Sequence, residues 1–187
     1  FREFHDYVRS NNGQIGIKQR GLDLNLNNAC NLKCKHCFTL SPKMLRINER
    51  MSVEKISEIM DQAHELGIFE IDLQGGELLL NKEYLYKVLE AMGTERFYVY
   101  VTTNGYFMTK EVAEKLYSLG VDRCSVSIDS MDPETHDTFR GRKGTWERAI
   151  NALKFVQDAG ITPYLNITVG RYNADSEDLK LLHDYSK

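Results

Sequence analysis

Three of the four cysteines in this chain, Cys30, Cys34 and Cys37 of ACNLKCKHCF, fall within eight positions, and the fourth, Cys124, lies far away. Thiols at this spacing could do three kinds of chemistry. A disulfide would need an oxidising compartment and would leave one thiol of the loop over, which suits poorly a start, FREFHDYVRSNNG, that lacks a signal-peptide core. A closed zinc site needs four ligands, and His36 could be the fourth, although its adjacency to Cys37 strains tetrahedral ligation by both. An iron-sulfur cluster takes one thiolate per iron, so three cysteines on a four-iron cubane leave one iron open for chemistry.

Such a loop has to be held by regular elements. Alternation in LDLNLN, Leu22 to Asn27, predicts a strand before the loop, and Val53, Ile56, Ile59, Met60, Ala63 and Leu66 recur at helical spacing behind a Ser52 cap. The order then repeats. Strands are expected at Phe69–Gln74, Phe97–Thr103, Arg123–Asp129 and Thr162–Val169, and helices at Tyr84–Met92, Thr109–Leu119, Trp146–Ala159 and from near Asp175. Five strand-helix units in a row predict an α/β fold, a parallel sheet with outer helices.

Parallel strands covered on both faces usually read as continuous apolar runs, but these alternate. With Leu24, Ile71, Val99, Val126 and Ile167 toward the helices, Asp23, Asp72, Tyr100, Ser125, Ser127, Asp129 and Asn166 share the opposite face. An open, wet, partial (βα)6 TIM-like barrel is expected, with its site at the carboxyl ends of the strands, where the cysteine loop also falls.

The spacing CxxxCxxC in CNLKCKHC, placed after the first strand, resembles that of the radical S-adenosylmethionine (radical SAM) enzymes. The resemblance extends to QGGELLL, where Gly75, Gly76 and Glu77 match the family's Gly-Gly-Glu-Pro segment, with Leu78 in place of proline. It continues through TTNG with Asn104 on the third strand, SVSIDS with Ser127 and Asp129 on the fourth, and HDTFRG with Arg140. The last pattern is similar to that of the subgroup carrying SPASM or twitch domains. It implies that Cys30, Cys34 and Cys37 hold a 4Fe-4S cluster and that Gly75, Gly76 and Glu77 hold the SAM amino group. Ser127 and Asp129 would then meet the ribose, Arg140 the SAM carboxylate, and His36 the neighbourhood of the adenine; Asn104 belongs to the same cofactor set. A family member of this kind cleaves SAM reductively to a 5′-deoxyadenosyl radical that abstracts a hydrogen atom, with an external electron donor such as flavodoxin or ferredoxin. The substrate implied is a peptide or protein, the alternatives being a sugar or aminocyclitol, or a partner enzyme on which a glycyl radical is installed. No catalytic acid, base or hydrogen donor is named by the motifs.

A reading of another class, a non-catalytic iron-sulfur or zinc binding module, predicts no response to SAM. The remaining features are quiet. Cys124 alternates with Ser125 and is expected in the core, and Trp146 is expected to pack at a helix start. The 187 residues, 42% of them apolar, suffice for one core, expected over 21–187 behind an N-terminal helical extension over 1–20 and truncated at its C-terminal end. A net charge of -3 without a basic stripe argues against nucleic acid, and no apolar run approaches a membrane span, so a cytoplasmic location is expected.

Overall fold

The computed structural model describes residues 6, 9–10, 20–37, 50–171, 173–174 and 176–186. Most of the extension expected over 1–20, and Asp175, lie outside them.

Five strands, β1 (Gly21–Asn25), β2 (Glu70–Gln74), β3 (Tyr98–Thr103), β4 (Arg123–Ser127) and β5 (Thr162–Asn166), pair in that order, every neighbour parallel. Between and after them run α1 (Val53–Glu65), α2 (Lys82–Met92), α3 (Lys110–Ser118), α4 (Pro133–Arg140), α5 (Thr145–Asp158) and α6 (Glu177–Tyr185). Most helices start where a side-chain oxygen takes an otherwise orphaned N–H. Ser52 accepts from Lys55, Asn81 from Tyr84, Thr109 from Val112, Asp132 from Thr135 and Ser176 from Leu179.

The core lies between the helices and one face of the sheet. Ile71, Leu73, Val99, Val101 and Val126 are wholly buried there against Ile56, Met60, Leu85, Val88, Leu116 and Ala152. Each such aliphatic side chain contributes about 1.5–3 kcal/mol by leaving water. Cys124 is buried in this layer, as the alternation predicts.

The opposite face is polar and partly open. Thr102 Oγ1 donates to Asp72 Oδ1 at 3.4 Å, and burial together with neighbouring Asp23 pushes the Asp72 carboxyl above its ordinary value. Toward the strand starts, the Arg123 guanidinium stacks 4.0 Å from the Tyr164 ring and 4.5 Å from that of Tyr100.

Two expectations need correction. Where the sequence predicts one helix between β4 and β5 there are two, since HDTFRG is itself helical: Asp132 caps it and Pro133 opens it as helix α4. Three strands also stop short of the alternation, at Asn25, Ser127 and Asn166. The cause is polar diversion at the sheet mouth, where Asn27 O accepts from Gly76 N and the Asp129 carboxylate takes the Thr168 N–H.

Candidate cluster and cofactor site

The cysteine loop leaves β1 and is pinned by the chain that leaves β2. Gly76 N donates to Asn27 O at 2.7 Å and Glu77 N to Ala29 O at 2.8 Å. Both glycines are needed for this approach, since a Cβ on Gly75 would sit 2.5 Å from Asn27 O and one on Gly76 would run into the Ala29 main chain.

Glu77 turns its carboxylate to the chain's own donors. Oε1 accepts from Leu79 N at 3.0 Å and Thr103 Oγ1 at 2.7 Å, and Oε2 from Asn104 N at 2.8 Å. It caps the 3₁₀ turn Leu78–Asn81 and ties the mouth of β2 to that of β3. Burial pushes its carboxyl upward against these three donors.

The far side of the loop rests on the end of α4. Lys35 N donates to Phe139 O at 3.1 Å, and the His36 ring stacks on Phe139 at 4.8 Å with 16° between planes. Burial, then Arg140, lowers the affinity of His36 for a proton. Gly141, left-handed at φ 74°, lies against the Lys33 main chain.

Arg140 is buried and joins two predicted site residues. Its Nε donates to Asp129 Oδ2 at 2.6 Å and its Nη1 lies 3.8 Å from Cys34 Sγ. The other Asp129 oxygen takes Thr168 N at 2.9 Å, and the Asp129 N–H is donated to His136 Nδ1 at 3.2 Å. Ser127 and Asn104, both buried, complete the set of predicted residues at the strand mouths.

The donors suit an iron-sulfur group. Burial pushes the Cys30 thiol up to about 11, with nearby Cys34 and Cys37 adding to the rise, and raises Cys34 while Arg140 pulls it back. Metal must therefore displace the protons. N–H groups already surround the sulfurs: Leu32 N is 3.4 Å and Asn104 Nδ2 3.9 Å from Cys30 Sγ. Among the described residues no group of three His, Cys, Asp or Glu side chains is placed to hold a single metal ion. Asn31 Nδ2, inside the loop, is buried and meets no acceptor among the described residues.

Sequence reasoning missed His136, Thr103 and Asn31. His136 and Thr103 act through backbone corners formed by distant segments; the polar Asn31 between two loop cysteines was the one local signal. Beside the loop, a cavity of 1140 Å³ opens between α4 and α6, lined among others by His36, Asp129, Met131, Phe139 and Leu181.

A five-stranded parallel sheet with flanking helices and a three-cysteine loop at its carboxyl mouth has the form of a partial βα barrel. The chain matches the family described as "Radical SAM superfamily" over residues 24–184, and it belongs to that superfamily, which works with a 4Fe-4S cluster and SAM. It is 33% identical over 147 residues to an AdoMet-dependent heme synthase of Methanosarcina barkeri, covering 78% of this chain and 41% of that protein. It is 37% identical over 153 residues to the sporulation killing factor maturation protein SkfB of Bacillus subtilis, covering 81% and 36%. The chain thus spans less than half the length of these relatives. Among solved structures, Streptococcus suis SuiB superposes with a TM-score of 0.74 at 20% identity, over 98% of this chain and 40% of that one. This likeness bears on the fold, a radical SAM partial barrel. No helix among the described residues is long and apolar enough to cross a membrane.

Proposed function

We propose that the chain is the SAM-cleaving core of a radical SAM enzyme that modifies a peptide or protein. The observation that carries this reading is the junction at Arg140, which ties the cysteine loop to the mouth of β4 at Cys34 and Asp129. Cys30, Cys34 and Cys37 would hold the 4Fe-4S cluster, which when loaded and reduced supplies the electron that splits SAM into methionine and a 5′-deoxyadenosyl radical.

The chain's own residues bind and orient. With its Nε on Asp129 and its Nη1 beside Cys34 Sγ, Arg140 would turn Nη2 to the SAM carboxylate. Asn27 O and Ala29 O hold the main chain at Gly76 and Glu77, and the segment Gly75, Gly76 and Glu77 would take the SAM ammonium. Ser127 and the free lone pairs of Asp129 take the ribose hydroxyls, and the His36–Phe139 stack offers a flat neutral surface to the adenine. Support for a peptide comes from SkfB, a maturation protein by name, and from SuiB, solved with its precursor peptide SuiA. A heme-related substrate is the second reading, favoured by the heme synthase relative. The electron would come from an external carrier such as flavodoxin or ferredoxin.

The test is electron paramagnetic resonance of anaerobically reconstituted, dithionite-reduced protein with and without SAM, followed by assay of 5′-deoxyadenosine. A 4Fe-4S signal that shifts on adding SAM, lost in Cys34→Ala, is expected. Zinc without iron, or a signal indifferent to SAM, would return the chain to the binding-module class. Precursor peptides that raise 5′-deoxyadenosine yield would support the first substrate, and porphyrins that do so the second.

A further inference from the structure

We propose that the side-chain amide of Asn31 is a built-in hydrogen-bond donor to a sulfur atom of the cluster, aimed by a relay that starts at the backbone of Tyr106. This rests on the cluster reading above and adds a residue that no motif in that reading uses.

The orientation follows from groups that can only donate. Tyr106 N–H donates at 2.9 Å to Asn104, so the Asn104 atom facing it is Oδ1. Asn104 Nδ2 is then directed at Asn31 at 2.9 Å, and the Asn31 atom that meets it has to be Oδ1. Exchanging oxygen and nitrogen in either amide would set donor against donor, so the usual ambiguity of amide assignment is absent.

With Oδ1 engaged, Nδ2 of Asn31 is left over. It is buried, and among the described residues it meets no acceptor. A buried amide donor without a partner is costly, and a fold retains that penalty where something else supplies the acceptor. The environment names the kind of acceptor. Asn31 follows Cys30 directly, its Oδ1 is 3.9 Å from Cys30 Sγ, and Asn104 Nδ2 is also 3.9 Å from that sulfur. Cluster sulfurs carry partial negative charge and accept N–H bonds, and each such bond stabilises the reduced, more negative cluster over the oxidised one. The Thr103–Glu77 contact and the Glu77–Asn104 contact hold Asn104 in place, so the donor is preorganised before any metal arrives.

The experiment is an anaerobic redox titration, read by electron paramagnetic resonance, of reconstituted wild type, Asn31→Leu and Asn31→Asp, with iron content and melting temperature measured on each. The expected result is a midpoint potential shifted negative in Asn31→Leu and further negative in Asn31→Asp, where an anion faces the sulfur, at equal iron content. An unchanged midpoint in Asn31→Leu would overturn the proposal. If a variant takes up no iron, ¹⁵N labelling of the asparagine side-chain amides decides: the reduced cluster is expected to show a ¹⁵N coupling that is retained in Asn28→Ser and in Asn104→Ser, and absence of any coupling, or its loss in Asn104→Ser, overturns the proposal. A wild type that forms no 4Fe-4S signal at all would instead sink the cluster reading itself, so the two failures are distinguishable.

Discussion

Asp129 and Arg140 form an ion pair at 2.6 Å with side chains only 2% and 8% exposed. Removing one partner strands the other charge away from water, which typically costs about 3–5 kcal/mol, whereas an apolar pair of similar volume often costs little. Asp129→Leu and Arg140→Met singly are therefore expected to destabilise the chain by about that amount, and together by clearly less than the sum, as measured by urea unfolding in a double-mutant cycle. Both singles are expected to weaken SAM binding as well. His136 gives this corner a pH dependence. It is buried, takes the Asp129 N–H on Nδ1, and is held down at about 4 by desolvation first and Arg140 second. The unfolded chain takes up this proton near 6.5 and the native chain does not, so stability is full above 6.5 and falls as the pH drops toward 4. Between pH 7 and pH 5 the loss from this group is about 2 kcal/mol. His136→Asn, which keeps an acceptor for the Asp129 N–H, is expected to lose about that much less over the same interval.

At the scale of elements, the site is made where loops touch. The glycines after β2 let that loop lie on the cysteine loop, and the end of α4 supports it from the other side. Gly76→Ala puts a methyl group into the Ala29 main chain and is expected to destabilise by about 1–3 kcal/mol and to lower iron uptake. Gly21→Ala, whose new methyl would meet Glu70 at an ordinary 3.6 Å, is expected to do neither. Urea unfolding and iron per chain after reconstitution check both. Helix α4 is the element that sequence reading passed over. It does not stand out as a helix in the sequence because eight residues with only two buried side chains, His136 and Arg140, carry no apolar stripe. Its start signal, Asp132 followed by Pro133, was nevertheless there.

At the scale of the molecule, the core and the site are separable. The buried layer joins the helices to one face of the sheet, while the cysteine loop is held by a few hydrogen bonds at the mouth of the other. Cluster removal under anaerobic chelation is thus expected to abolish amide protection in 29–37 and 139–142 and to leave β2, β3 and β4 protected, as hydrogen exchange by mass spectrometry would record. Loss of protection across the sheet would mean that the cluster supports the fold as a whole.

The alternation of strands and helices, the polar face, the burial of Cys124 and the cysteine spacing are legible in the chain before it folds, because each is written in local periodicity or in residue type. Which side chain meets which emerges with the fold. That Glu77 is engaged by Thr103 and Asn104, that Arg140 bridges Asp129 and Cys34, and that Asn31 is left with an unused donor all depend on residues tens of positions apart. Such contacts are set by strand register and loop packing, and no local pattern in the chain encodes them.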